Sequence, residues 1–185
     1  MQGASSRKHD VIVAGIGGTG SMMIGQILAS AGVTQYNNTL WNPSMTTARR
    51  GAPADCTVIL SDDEITSPLL LRAETVIMTE SSRLEAFEDR ALPGGIIIME
   101  ASGKTKDVER DDVTVFEVPG VETAARLGNT LARNMVMLGA YIEKLKALSI
   151  ESVEEGISKK FSGNDKVREL NLSAFREGLK IAADI

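Results

Sequence analysis

The sequence predicts an α/β protein with three layers, αβα, built on a mostly parallel, Rossmann-like sheet with a helical C-terminal third. Three observations carry that prediction. An apolar strand, Val11–Ala14, runs through a glycine turn into an apolar-periodic helix, Ser21–Ala31. Five more short strand-like runs follow, with one helical segment among them. The last third then keeps a helical rhythm to its end.

Taken in order, Val11-Ile12-Val13-Ala14 reads as a buried strand ending at glycines. Met22, Met23, Ile24, Ile27 and Leu28 recur at helical spacing, and Gly32 is expected to close that helix from just beyond it. Tyr36–Trp41 is the second strand. The stretch from Asn42 to Asp55, with Pro43, Gly51 and Pro53, reads as a loop. Strands are expected at Cys56–Leu60, Thr75–Thr79, Ile96–Met99 and Val113–Val118, with a helix from Ser82 to Leu92 that turns Leu84, Phe87 and Leu92 to one side. Leu127, Leu131, Met135, Leu138, Ile142 and Leu145 form one sustained apolar face, and Val136, Ala140 and Tyr141 widen it, so that this long helix is expected to be covered on more than one side. Ser149 and Asn164 are expected to cap the last two helices, the final one turning Val167, Leu170, Phe175 and Leu179 inward. The chain is expected to be one domain, 1–185, with 1–8 as a tail.

Composition limits the chemistry. The chain has one Cys, Cys56, and one His, His9, too few for a structural zinc site or an iron–sulfur cluster. No metal ligand set and no catalytic residue is assigned. A disulfide framework is excluded, the start is too polar for a signal peptide, and no apolar run spans a bilayer, so a cytoplasmic location without membrane contact is expected. A net charge of −5 with scattered basic residues argues against a nucleic-acid footprint. Cys56, inside an apolar strand, reads as an inert buried thiol, and His9 as a surface residue ahead of the first strand. The methionines at helical spacing read as packing groups, and Asp62-Asp63-Glu64 and Asp111-Asp112 as solvated turns. Trp41 reads equally as an interface anchor or a partly buried core residue.

Two segments carry candidate binding chemistry. Gly15-Ile16-Gly17-Gly18-Thr19-Gly20 satisfies G-x-G-x-x-G between strand and helix, where glycines allow close backbone approach and helix-start amides can hold a phosphate. A dinucleotide site also needs an acid at the end of the second strand. Here that region reads Leu40-Trp41-Asn42-Pro43-Ser44, and the first acid is Asp55. The loop thus reads as an anion cradle, as the turn of a stand-alone nucleotide-binding enzyme or regulator, or as packing alone. The second segment is Ser44 through Gly51, whose Arg49 and Arg50 can grip a phosphate or carboxylate bidentately or lie in solvent.

In order and spacing these pieces resemble the gamma subunit of the 2-oxoacid:ferredoxin oxidoreductases. The resemblance rests on Gly15–Gly20 before an apolar helix, on Pro43 through Arg50-Gly51 into Cys56-Thr57-Val58-Ile59-Leu60-Ser61, on Ser67-Pro68, on Asn134–Ala140, and on Glu169-Leu170-Asn171-Leu172 with Phe175 and Gly178. Thr19 stands where that family has Gln, and Ser44-Met45-Thr46-Thr47-Ala48 precedes the arginines in place of the common Tyr-Gly-x-Glu type. The resemblance implies a subunit, inactive alone, of an enzyme that decarboxylates a 2-oxoacid, usually to an acyl-coenzyme A. Thiamine diphosphate and iron–sulfur clusters would sit on alpha, beta and delta-type partner subunits, and ferredoxin would take the electrons. No cofactor is expected on this chain by itself. Gly15, Gly17, Gly18, Thr19, Gly20, Ser44, Arg49 and Arg50 would line the coenzyme A edge. The acid converted is left open among pyruvate, 2-oxoglutarate, branched-chain and aryl substrates.

Overall fold

The computed structural model describes residues 6–45 and 52–185. The elements run β1 (Lys8–Ala14), α1 (Ser21–Gly32), β2 (Asn38–Met45), β3 (Ala54–Ser61), β4 (Ala73–Met78), a short helical stretch with α2 (Leu84–Phe87) between two 3-10 turns, β5 (Ala91–Glu100), β6 (Thr114–Val118), α3 (Gly120–Arg126), α4 (Arg133–Leu145), α5 (Ile150–Lys160) and α6 (Asp165–Asp184). One six-stranded sheet takes the order β2-β3-β1-β4-β5-β6. The pairs β1–β4, β4–β5 and β5–β6 are parallel, and β3 runs against both of its neighbours. The α/β class and the mostly parallel sheet are as the sequence predicts.

Strand alternation divides the core into two layers. Val11, Val13, Cys56, Val58, Leu60, Ile77 and Ile98 face a cluster shared with α1, α4, α5 and α6. Ile12, Ala14, Val76, Met78, Ile97 and Met99 face Leu84 and Phe87. The three layers are therefore unequal: long helices cover one face and a single helical turn covers much of the other.

Several boundaries move, each for a local reason. Gly32 is the last residue of α1 rather than a cap beyond it; a Cβ there would come within 2.5 Å of Leu60 Cδ2, so its smallness serves packing. The stretch expected as a loop over Asn42–Asp55 is strand at both ends, with Pro43 opposite Cys56, Ser44 opposite Asp55 and Met45 opposite Ala54. β2 is the sheet's edge, the place where a proline's missing N–H costs no ladder bond. The helix expected from Ser82 to Leu92 gives way to β5 at Ala91, because Pro93 disfavours helical backbone at Leu92. Leu92 is consequently exposed rather than inward. The long helix expected from Leu127 is broken at Gly128, whose φ of +97° ends α3. The Asn129 side chain then accepts from Leu131 N at 3.0 Å and starts the next turn. Leu131, on the predicted apolar face, is 65% exposed as a result. His9 lies inside β1, half-buried, 3.1 Å from a Glu74 carboxylate oxygen, because β1 pairs with β3 as far out as Ser61. Arg7 pairs with Asp62 at 2.9 Å, so that acid is engaged rather than simply solvated; residues 1–5 lie outside the described residues.

Other expectations hold. Ser149 and Asn164 accept from Ser152 N and Val167 N as caps. Val136, Ala140 and Tyr141 are all buried, as are Met135 and Met137. Trp41 packs, half-buried, on the larger core cluster. Cys56 is buried against α1, where a Cβ on Gly25 would reach its Sγ at 2.5 Å.

Helices α4 and α6 meet backbone to backbone. A Cβ on Gly139 would collide with the Phe175 carbonyl and approach Leu179 N to 2.8 Å, and one on Gly178 would collide with the Val136 carbonyl. Gly139→Ala or Gly178→Ala is predicted to force the helices apart and cost about 1–3 kcal/mol, read as a lowered Tm. Gly163→Ala, with no atom within 4 Å of its Cβ, should leave Tm unchanged. Burial pushes the Cys56 thiol up to about 11. At pH 8 only about one molecule in a thousand would carry the thiolate, so a thiol reagent is predicted to label the native chain very slowly and the denatured chain at the rate of a free cysteine.

Candidate functional site

Ligands of open α/β sheets bind beyond the carboxyl ends of the parallel strands. At that end of β1 lies the glycine loop, whose backbone needs glycine at particular points. Gly20 has φ +84° and forms the N-cap of α1, with a Cβ there only 2.7 Å from Asn134 Nδ2. Gly15 is wedged so that a Cβ would meet Ser21 Cβ at 2.5 Å and Thr79 Oγ1 at 2.7 Å.

The loop's amides divide into two groups. Gly15 N donates to Asp55 Oδ1 at 3.2 Å, Gly17 N to the Ala52 carbonyl at 2.7 Å, and Thr19 N to the Ile16 carbonyl at 3.2 Å. Those of Ile16, Gly18 and Gly20 have no hydrogen-bond partner among the described residues, and of these Gly18 is exposed. The part of the loop able to meet an anion is thus its apex, next to the positive end of α1.

The antiparallel strand β3 begins against this loop. Ala54 N donates to the Gly15 carbonyl at 3.1 Å, completing with Gly17 N an antiparallel bridge between Ile16 and Pro53. Ser21 Oγ also donates to the Ala54 carbonyl, at 2.8 Å. At the other side of the hairpin, Met45 pairs with Ala54 and exposed Ser44 with Asp55. The segment that bears the arginine pair therefore leaves from β2 and re-enters the sheet, at the start of β3, beside the glycine loop. Arg49 and Arg50 themselves lie outside the described residues. Among the candidates, Gly15, Gly17, Gly18, Thr19 and Gly20 form one turn, and Ser44 sits across the ladder from the acid that holds it.

Sequence reasoning missed the charged frame around this edge. Asp55 takes Gly15 N on one oxygen and has the Arg83 guanidinium 3.6 Å from the other. Burial pushes its carboxyl up, against the opposing pull of the Gly15 amide, Arg83 and Arg90. Glu80, three residues before Arg83, pairs with Arg133 at the start of α4. The next residue, buried Asn134, donates to the Thr19 carbonyl. Glu100, only 1% exposed at the end of β5, accepts from Ser102 N and Val121 N, each at 3.0 Å. Its carboxyl too is pushed up by burial, while those two amides oppose the shift. Asp55 could have been flagged as the first acid after the glycine loop. The Glu80–Arg133 pair, 53 residues apart, has no local signal.

This geometry is poorly suited to a dinucleotide ribose. The strand beside β1 is antiparallel β3, so its beginning rather than the end of β2 lies near the loop. The acid found there, Asp55, already has a partner on each oxygen. Cys56, next to it on β3, is buried with its thiol pushed up by desolvation, which disfavours it as a nucleophile. Among the described residues no cluster of three His, Cys, Asp or Glu is placed to hold a metal ion.

Comparison with known proteins agrees with the resemblance drawn from the residues. A profile described as pyruvate ferredoxin/flavodoxin oxidoreductase matches residues 10–181. The chain is 30% identical over 175 residues to the ketoisovalerate oxidoreductase subunit VorA of Methanothermobacter thermautotrophicus, covering 94% of this chain and 36% of that protein. It thus spans about a third of the length of that relative. It is 28% identical over 185 residues to the 2-oxoglutarate synthase subunit KorC of Methanothermobacter marburgensis, covering 94% of this chain and 96% of that one. Among solved structures, it superposes on the 2-oxoglutarate:ferredoxin oxidoreductase of Magnetococcus marinus, determined with 2-oxoglutarate, coenzyme A and succinyl-CoA bound. The TM-score is 0.88 at 23% identity, over 97% of this chain and 32% of that one. The gamma subunit of a keto/oxoacid ferredoxin oxidoreductase from Geobacter sulfurreducens superposes with a TM-score of 0.82 at 20% identity, over 96% and 99% of the two chains. With most of its length matched by one family profile, the chain belongs to the pyruvate ferredoxin/flavodoxin oxidoreductase family.

Proposed function

We propose that this chain is the gamma subunit of a thiamine diphosphate- and iron–sulfur-dependent 2-oxoacid:ferredoxin oxidoreductase, and that it forms the edge that receives coenzyme A. The observation that carries this reading is the bridge between Ile16 and Pro53, which holds the returning end of the arginine-bearing segment against the glycine loop, while its leaving end at Met45 pairs with Ala54. Amides of Gly18 and Gly20, the positive end of α1 and two guanidinium groups are the donor set that a phosphate recognises. Asp55, Arg83, Glu80 and Arg133 are paired with one another or with the loop, so they act as a frame and leave anion recognition to the amides and the arginine pair.

The redox groups belong elsewhere. The single cysteine is buried under α1 and the single histidine lies beside Glu74, so neither is placed as a ligand of a shared cluster. Thiamine diphosphate and the iron–sulfur clusters would be held by alpha, beta and delta-type companion subunits, with ferredoxin as the electron acceptor of the complex. When bound, coenzyme A supplies the thiol that takes up the acyl group. This chain's part is to hold the cofactor's anionic end while the reactive end reaches into the companion. The relatives named for ketoisovalerate and 2-oxoglutarate support a 2-oxoacid as the substrate. Among the described residues no helix is long and apolar enough to cross a membrane.

In the assembled enzyme, Arg50→Ala is predicted to raise the apparent KM for coenzyme A about tenfold, the loss of one charge-assisted hydrogen bond, with kcat for 2-oxoacid oxidation nearly unchanged at saturation. Steady-state kinetics with coenzyme A as the varied substrate measures this. An unchanged KM accompanied by loss of subunits on gel filtration would make the segment an assembly element instead.

A further inference from the structure

The thin face of the sheet ends in two bare leucines. Between β3 and β4 the chain crosses the outer side of the hairpin and presents Leu69 at 71% and Leu71 at 85% exposure. The turn is tied down at several points. The Arg90 guanidinium donates to the carbonyls of both Leu70 and Leu71, the latter at 3.0 Å, and stacks over Phe87 with 5.2 Å to the ring centroid. Leu69 N donates to Ser67 Oγ at 3.2 Å. The backbone is thereby held in a form that keeps both side chains turned out. Beside them lies a concavity of about 430 Å³, bordered by Asn42, Ser44, Asp55, Thr57 and Arg90. A fixed turn that offers two leucines next to a partly polar hollow has the composition of an interface anchor: apolar projections that a partner covers, within a rim of hydrogen-bonding groups.

Two observations identify the occupant. First, this chain matches only 36% of the ketoisovalerate relative and 32% of the solved Magnetococcus chain, yet 96% of the KorC relative. The same domain therefore occurs both joined to further polypeptide and as nearly a whole chain, and in the second arrangement any contact with the missing part must be made through surface. Second, Asp55 borders the hollow and also holds Gly15 of the glycine loop, so the leucine turn continues the edge where a companion must approach. We infer that the Leu69–Leu71 turn and its hollow seat the companion subunit that corresponds to the remaining two thirds of the ketoisovalerate relative. The partner surface that fits it is apolar at its centre, with polar groups facing Asn42, Ser44 and Thr57. The inference rests on the proposed function, which supplies the companion.

The test is coexpression of the full chain with that companion, capture through a tag on this chain, and measurement of the affinity between the purified subunits. Leu69→Ser/Leu71→Ser is expected to weaken binding at least about tenfold, the loss typical of removing central apolar anchors, while thermal unfolding of the isolated chain is unchanged. Leu71→Lys, a second exposed-site change, is expected to do the same. Hydrogen exchange of the wild-type complex, which needs no variant, is expected to slow at residues 67–72 relative to the free chain. Wild-type affinity in both variants, or exchange at 67–72 unaltered by the companion, overturns the inference and leaves the proposed function standing. An isolated chain that dimerises through this turn, with Leu71→Lys restoring the monomer, overturns it in favour of a second copy. A wild-type chain that captures no such companion overturns the proposed function together with it.

Discussion

The antiparallel bridge that ties Pro53 to Ile16 is the contact on which the functional edge depends. In a parallel α/β unit the second strand would lie beside the first and deliver its far end to the glycine loop. Here β3 is inserted between β1 and β2 and runs the opposite way. The inversion places the start of β3, and with it the return of the arginine-bearing segment, against the turn that opens α1. Two backbone hydrogen bonds and the Ser21 hydroxyl fix that approach. Asp55 then engages its carboxylate with Gly15 and Arg83, so this acid serves as a fastening.

The rest of the fold supports this edge from one side. Helices α1, α4, α5 and α6 share a core with the sheet, and Asn134 at the start of α4 reaches the Thr19 carbonyl of the glycine loop. Close contact between α4 and α6, set by Gly139 and Gly178, keeps α4 in register with the sheet. Arg133, one residue earlier, anchors Glu80 beyond β4. The opposite face carries the stretch containing Leu84 and Phe87, Val108 and Val113 of the β5–β6 connection, and the crossing turn held by Arg90. One side of the molecule is built for stability and the other leaves apolar surface uncovered.

Much of this was legible from residue patterns. The six strands, the glycine turn, α1 and both later N-caps follow from apolar runs and capping residues whose signals are local. The errors also have local causes. Polar residues and Pro43 made the second half of β2, Asn42–Met45, look like loop, because an edge strand facing solvent lacks the apolar alternation of a buried one. Leu131 fitted a helical rhythm that Gly128 and Asn129 interrupt, and the dipeptide's C-cap and N-cap chemistry was there to be read. The glycine loop could be named as a site, but not the direction of β3, which depends on non-local pairing. For the same reason the Asp55–Arg83 and Glu80–Arg133 pairs stayed hidden, since each joins elements distant in sequence.

In the proposed role the glycine-loop apex and the arginine pair hold one anionic ligand together. An experimental structure of the assembled enzyme with coenzyme A tests it most directly. Phosphate oxygens are expected within about 3.5 Å of the Gly18 or Gly20 amide and of an Arg49 or Arg50 guanidinium nitrogen at once. Coenzyme A bound with its phosphates touching neither element would contradict it.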